Sequence, residues 1–124
     1  MLLDTSAWIE YFKGTEKGET VLKLITREST IYTCPLTFAE LTFWCHKNKQ
    51  KPEPVIEKIN QLSKTLDLTE EILVKSGEIY YWERQHNDKI SMIDCIIYTC
   101  AKTHNLKLLT KDRDFESLSD VEML

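Results

Sequence analysis

Glycine and proline are scarce in this chain of 124 residues, with three of each. These are the strongest punctuators of local structure, so their scarcity excludes long linkers and low-complexity tracts. No internal repeat is visible. No apolar run approaches the roughly 18–20 residues that span a bilayer. The N-terminus lacks the basic and apolar regions of a secretory leader, which predicts a cytoplasmic protein with no membrane partner. Four cysteines occur, Cys34, Cys45, Cys95 and Cys100, but no two are spaced C-x-x-C and none stands in a His-x-His setting. That argues against a zinc site or a disulfide framework and reads as buried, reduced thiols. An excess of positive charge is also missing: 16 basic residues stand against 20 acidic ones, a net charge of −4. Nucleic-acid binders are usually basic. The objection weakens if several acids share one cation, which cancels their charge locally.

The composition is that of an ordinary globular domain, 42% hydrophobic and 29% charged, and the length fits one domain over residues 1–124. Residues 1–3 read as a short strand. Residues 5–12 place Trp8, Ile9 and Phe12 on one helical face, with Thr5 as the expected N-cap. A second helix is expected over 17–28 and a strand over 29–35, stopped by Pro35. Helices follow over 36–49 and 53–66, the latter opened by Pro52 and Pro54. Residues 64–69 allow a short strand. Helices over 70–87 and 91–105, a strand over 106–110, a turn or short helix over 114–119 and a last strand over 121–124 complete the chain. Strands alternating with helices predict an α/β fold with a mostly parallel sheet covered on both faces, a three-layer α/β/α domain.

In such sheets, ligands gather beyond the carboxyl ends of the strands. Asp4 follows the first strand, and Asp112 and Asp114 follow the strand 106–110. Glu40 lies one turn into the helix after the second strand. Asp94 lies in the first turn of the helix leading back into 106–110. Each has an ordinary reading: Asp4 as a helix cap, Glu40 as an exposed glutamate, Asp94 as the acid of an S-x-x-D capping box with Ser91, and Asp112 and Asp114 as turn residues. Together they converge on one sheet edge. Clustered carboxylates repel unless a hard cation offsets them, and an all-oxygen donor set suits Mg²⁺ or Mn²⁺. Such ions are a usual device for phosphodiester hydrolysis. Lys111 and Arg113 flank Asp112 as candidate phosphate contacts, and the run 46–51 is either a second contact or a solvated helix end.

The segments "LLDTSAWIEYF", "LTFAEL" and "SMIDCIIYTCAKTHNLKLLTKDRDF" resemble PIN domains, nearest to the VapC-type toxins of toxin–antitoxin pairs. The resemblance runs over essentially the whole chain, while residues 46–90 carry no catalytic motif. It implies a PIN-like sheet of order 3-2-1-4-5 and makes Asp4, Glu40, Asp94 and Asp112 the catalytic, metal-coordinating acids. Ser6 and Thr110 match hydroxyls that orient the acids, and Asp114 matches an acid used by some members. The resemblance further implies an Mg²⁺- or Mn²⁺-dependent endoribonuclease, an RNA substrate, a homodimer and a cognate antitoxin. Two alternatives remain open at this point: a PIN nuclease of RNA processing or decay, and a non-catalytic PIN-like binding module. Phosphoaspartyl transfer fits poorly, because the second acid it needs two residues after Asp4 is Ser6.

Overall fold

A computed structural model describes all residues, 1–124. Five very short parallel strands form one sheet: β1 (Leu2–Leu3), β2 (Tyr32–Thr33), β3 (Lys64–Thr65), β4 (Leu108–Thr110) and β5 (Val121–Met123). Their spatial order is β3-β2-β1-β4-β5, as the resemblance implies. Six helices cover it: α1 (Thr5–Lys13), α2 (Glu16–Arg27), α3 (Pro35–Lys47), α4 (Pro52–Leu62), α5 (Glu70–Glu83) and α6 (Met92–Thr103). A 3₁₀ turn (Arg113–Phe115) follows β4.

The central strands are buried on both faces, as a parallel sheet requires. Side chains alternate across the sheet, so neighbouring leucines enter different cores. Leu3 and Leu109 join Ala7, Trp8, Val21, Leu24, Leu41 and Ile59 beneath α1–α4. Leu2 and Leu108 join Ile72, Ile97, Cys100 and Phe115 beneath α5 and α6. The three-layer reading holds. All four cysteines are free and buried, as their apolar settings predict.

Several boundaries differ from the sequence reading. The strand expected over 29–35 is only Tyr32–Thr33, because Pro35 already opens α3, where its missing N–H costs nothing. The helix expected over 53–66 stops at Leu62, and the next residues pair with β2 as β3. Thr5 does not cap α1. Asp4 is the N-cap, its carboxylate accepting from the Ser6 backbone N–H. No helix is long and apolar enough to cross a membrane.

The register places the site. Leu3 stands opposite Leu109, and the Asp4 N–H donates to the Leu109 carbonyl at 2.9 Å. Asp4 and Thr110 therefore leave two adjacent strands at the same carboxyl edge. Gly18 permits a close helix crossing nearby, since a Cβ there would stand 2.1 Å from the Glu10 carbonyl oxygen.

Candidate active site

Asp4 is 4% exposed. Its Oδ2 receives the Ser6 hydroxyl at 2.7 Å and the Thr110 hydroxyl at 2.8 Å. Those two hydroxyls in turn accept the backbone N–H groups of the next loop: Lys111 N–H donates to Ser6 Oγ at 3.0 Å and Asp112 N–H to Thr110 Oγ1 at 2.9 Å. A hydroxyl holds both an acceptor and a donor, so Ser6 and Thr110 link the backbone at 111–112 to the Asp4 carboxylate. This geometry is compatible with the orienting role that the resemblance implies for Ser6 and Thr110.

Glu40 leaves α3 toward α1. Its Oε1 accepts from the Thr5 hydroxyl at 2.5 Å, and that hydroxyl lies 3.1 Å from the Thr37 hydroxyl. Asp94 is the third residue of α6, and the capping box is complete: Ser91 Oγ accepts from the Asp94 N–H, and Asp94 Oδ2 accepts from the Ser91 N–H, both at 3.0 Å. The capping role and the site role are therefore compatible. Asp112 caps the 3₁₀ turn, its Oδ1 accepting from the Asp114 N–H at 2.9 Å. In Glu40 and Asp112, one oxygen is anchored this way and the other has no protein donor.

The acids feel one another. Burial first, and then the charges of Asp4, Asp94 and Asp112, raise the Glu40 carboxyl above its ordinary pKa, against the Thr5 hydrogen bond. Burial raises Asp94 too, assisted by Asp112 and Asp4 and opposed by the Ser91 contacts. Burial raises Asp4 despite its hydroxyl partners. Partial burial and the Asp112 charge raise Asp114. Desolvation and like charge both disfavour the ionised form, so the pocket favours any positive charge placed in it.

The structure thus brings Asp4, Glu40, Asp94 and Asp112 to one edge. The tightest group differs from the four acids of the resemblance: carboxylate oxygens of Asp94, Asp112 and Asp114 lie within 4.8 Å of one another. Asp114, an accessory acid in the sequence reading, belongs to this group. Its carbonyl also accepts from the Asn87 side chain at 3.0 Å, which ties the turn to the segment after α5. Three convergent carboxylates are hard oxygen donors of the type that hold a divalent ion.

Lys111 and Arg113 diverge. The Arg113 side chain is 82% exposed and touches only Glu116, at 3.4 Å. The Lys111 ammonium lies 2.6 Å from Oε1 of Glu10, a residue buried in α1. The sequence reading missed Glu10 and Thr5 as members of the neighbourhood. Glu10 carries the same signal as Glu40, an acid inside an apolar helical stretch (Trp8, Ile9, Tyr11, Phe12). Thr5 gave no signal beyond adjoining Asp4.

The PIN domain family model matches residues 1–121. The chain is 26% identical over 130 residues to ribonuclease VapC11 of Mycobacterium tuberculosis, covering 100% of this chain and 95% of that protein. The same figures hold for VapC ribonuclease Mb1587 of Mycobacterium bovis. Among solved structures, it superimposes with a TM-score of 0.78 on a toxin–antitoxin complex from Klebsiella pneumoniae, at 23% identity over 98% of this chain and 95% of that one. It also superimposes with a TM-score of 0.78 on VapBC2 of Rickettsia felis bound to a promoter DNA fragment, at 20% identity over 99% of this chain and 96% of that one. With the family model spanning nearly the whole sequence and the fold matching throughout, the chain belongs to the PIN domain family.

Proposed function

We propose that the chain is a divalent-metal-dependent endoribonuclease, the toxin of a toxin–antitoxin pair, cleaving RNA phosphodiester bonds at the Asp4, Glu40, Asp94 and Asp112 edge. The observation that carries this reading is the convergence of acids from four separate segments on one strand edge. The VapC names of its relatives support the choice of RNA and of toxin biology. Asp94, Asp112 and Asp114 would hold the ion, with Asp4 and Glu40 completing its surroundings. Mg²⁺ or Mn²⁺ bound there supplies positive charge against the phosphate oxygens and acidifies a water.

The protein's own contribution is positioning. Ser6 and Thr110 fix the Asp4 carboxylate, the capping box fixes Asp94, and Thr5 fixes Glu40. Each acid keeps its geometry without reorganising during the reaction, which is where most electrostatic catalysis arises. Glu40, raised in pKa and with one oxygen free of protein donors, is suited to accept a proton from water. Arg113, exposed beside Asp112, is placed to meet an RNA phosphate.

The partner reading follows the same charges. An antitoxin arginine is the simplest block for an acidic pocket, since its planar fork binds carboxylates in pairs. A groove of about 460 Å³ runs from Glu40 past Ile9, Phe43 and Trp44, and it offers an apolar bed for the segment bearing that arginine. Exposed Leu73, Val74, Tyr81, Trp82, Met92 and Ile93 favour a homodimer, and the protein works in the cytoplasm.

The test is cleavage of structured RNA by the purified chain with Mg²⁺ or Mn²⁺, with excess EDTA, and with Asp94→Asn. Metal-dependent cleavage lost in Asp94→Asn is expected. Undiminished cleavage in EDTA overturns the reading. Growth arrest on expression, relieved by a neighbouring antitoxin gene, tests the toxin role, and light scattering tests the dimer.

A further inference from the structure

Glu10 is a carboxylate that the proposed chemistry leaves unused, yet it is buried, with its side chain 4% exposed. Burying a charge is costly unless it is paired and hydrogen-bonded. Both Glu10 oxygens are engaged: Oε1 with Lys111 Nζ at 2.6 Å and Oε2 with the Thr15 hydroxyl. That hydroxyl also caps α2, accepting from the Gly18 N–H at 3.0 Å. Glu10 therefore stands at the α1–α2 corner and reaches out to one residue of the site loop.

Lys111 meets α1 twice. Its backbone N–H donates to Ser6 Oγ, and its ammonium pairs with Glu10. Ser6 and Glu10 are four residues apart on α1, one turn along the same face, roughly 6 Å. One residue is thus fixed to a helix at two points. The next residue is Asp112, whose N–H is held by Thr110 and whose carboxylate caps the turn bearing Asp114. Two-point attachment of residue 111 limits rotation of the chain at Asp112 and Asp114.

We propose that the Glu10–Lys111 ion pair is a positioning device: Lys111, anchored on Glu10, holds the loop so that Asp112 and Asp114 face Asp94 in a geometry able to take a divalent ion. This rests on the nuclease reading. It gives Lys111 a role other than the RNA-phosphate contact suggested by its neighbours in the sequence.

The two roles, and a purely electrostatic one, differ in sign. A lysine acting only through its charge repels a cation, so its removal tightens metal binding. Loss of a lysine acting only on RNA leaves metal binding unchanged and raises KM. A positioning lysine makes metal binding weaker when it is lost, despite the departing positive charge. Lys111→Met keeps the aliphatic stem and leaves the Glu10–Thr15 contact in place.

The experiment is calorimetric titration of Mn²⁺ into the full chain without RNA, with melting curves to establish that each variant is folded. Lys111→Met is expected to weaken Mn²⁺ binding about tenfold, the scale typical of groups that orient metal ligands. Lys111→Arg, which can still reach Glu10, is expected to recover most of it. The double variant Lys111→Met with Glu10→Gln is expected to be no weaker than the weaker single variant, because both remove the same Glu10–Lys111 pair. Wild-type affinity in folded Lys111→Met, or tighter binding, overturns this proposal while leaving the nuclease reading intact. A wild-type chain that takes up no Mn²⁺ overturns both.

Discussion

On the β1 side of the acid cluster, carboxylates are met by hydroxyls, whereas on the α6 side they meet backbone N–H groups and one another. Asp4 is sunk at the strand edge under Ser6 and Thr110, and Glu40 is held by Thr5. Asp94, Asp112 and Asp114 are half-buried and within 4.8 Å of each other, with Asp94 and Asp112 each accepting one backbone N–H. On the first side, hydroxyls fix the Asp4 carboxylate and one oxygen of Glu40. The second keeps its charge uncompensated and reachable from solvent, so that is where a cation gains most. In the proposed reading, a site that must both stay rigid and take up an ion divides the two tasks between its two sides.

The largest expected effect tests whether both sides serve one reaction. Asp4→Asn and Asp94→Asn, one from each side, should each lower RNA cleavage by about a hundredfold or more while circular dichroism stays unchanged. Full activity in either variant separates the two sides and breaks the comparison. Asp114→Asn sharpens it. If Asp114 belongs with the uncompensated group, cleavage and Mn²⁺ affinity should both fall, by about tenfold, and unchanged Mn²⁺ affinity removes it from that group.

Next in size is the effect of the ion on stability. At ten times its Kd, Mg²⁺ or Mn²⁺ should stabilise the fold by about 1.4 kcal/mol, a rise of a few degrees in Tm for a chain of this size. Differential scanning fluorimetry measures this, and a Tm indifferent to both ions counts against the cluster. Ser91→Ala should cost about 1 kcal/mol through loss of the α6 cap. Because Asp94 shares that capping box, its metal affinity should fall with it. A loss of stability with metal affinity untouched would mean that the cap and the ligand are independent.

The smallest effect is a slope with pH. Burial raises the folded-state pKa of Asp4 above the 3.8 of an ordinary aspartate. The folded protein then binds more protons than the unfolded chain between these two values. Stability from this group is present below the lower value and is lost as pH rises through the window. Without metal, the Tm of Asp4→Asn minus that of wild type should therefore grow as pH rises from about 4 and then level off. A difference that shrinks with rising pH would show that the hydroxyl partners outweigh desolvation and would reverse the assignment of the β1 side.

The sequence alone determined the alternation of strands and helices, the positions of the acids, and the Ser91–Asp94 cap. These are local facts of periodicity, capping chemistry and distance along the chain. Together with the family resemblance, they were enough for the strand order and for the meeting of Asp4, Glu40, Asp94 and Asp112 at one sheet edge. Strand ends were less legible: with only two or three residues per strand, the pattern from 29 to 35 has no room to show where pairing stops. Tertiary structure alone decided what each hydroxyl and cation does. Thr5 reads locally as a helix cap and becomes the partner of Glu40, because α1 and α3 cross there. Lys111 reads as a phosphate contact beside Asp112 and is bound to Glu10, 101 residues away in sequence, because the β1–β4 register lays its loop along α1. Local sequence patterns act over a few residues, while the pairing of a buried charge is chosen only when the sheet closes and no water remains to solvate it.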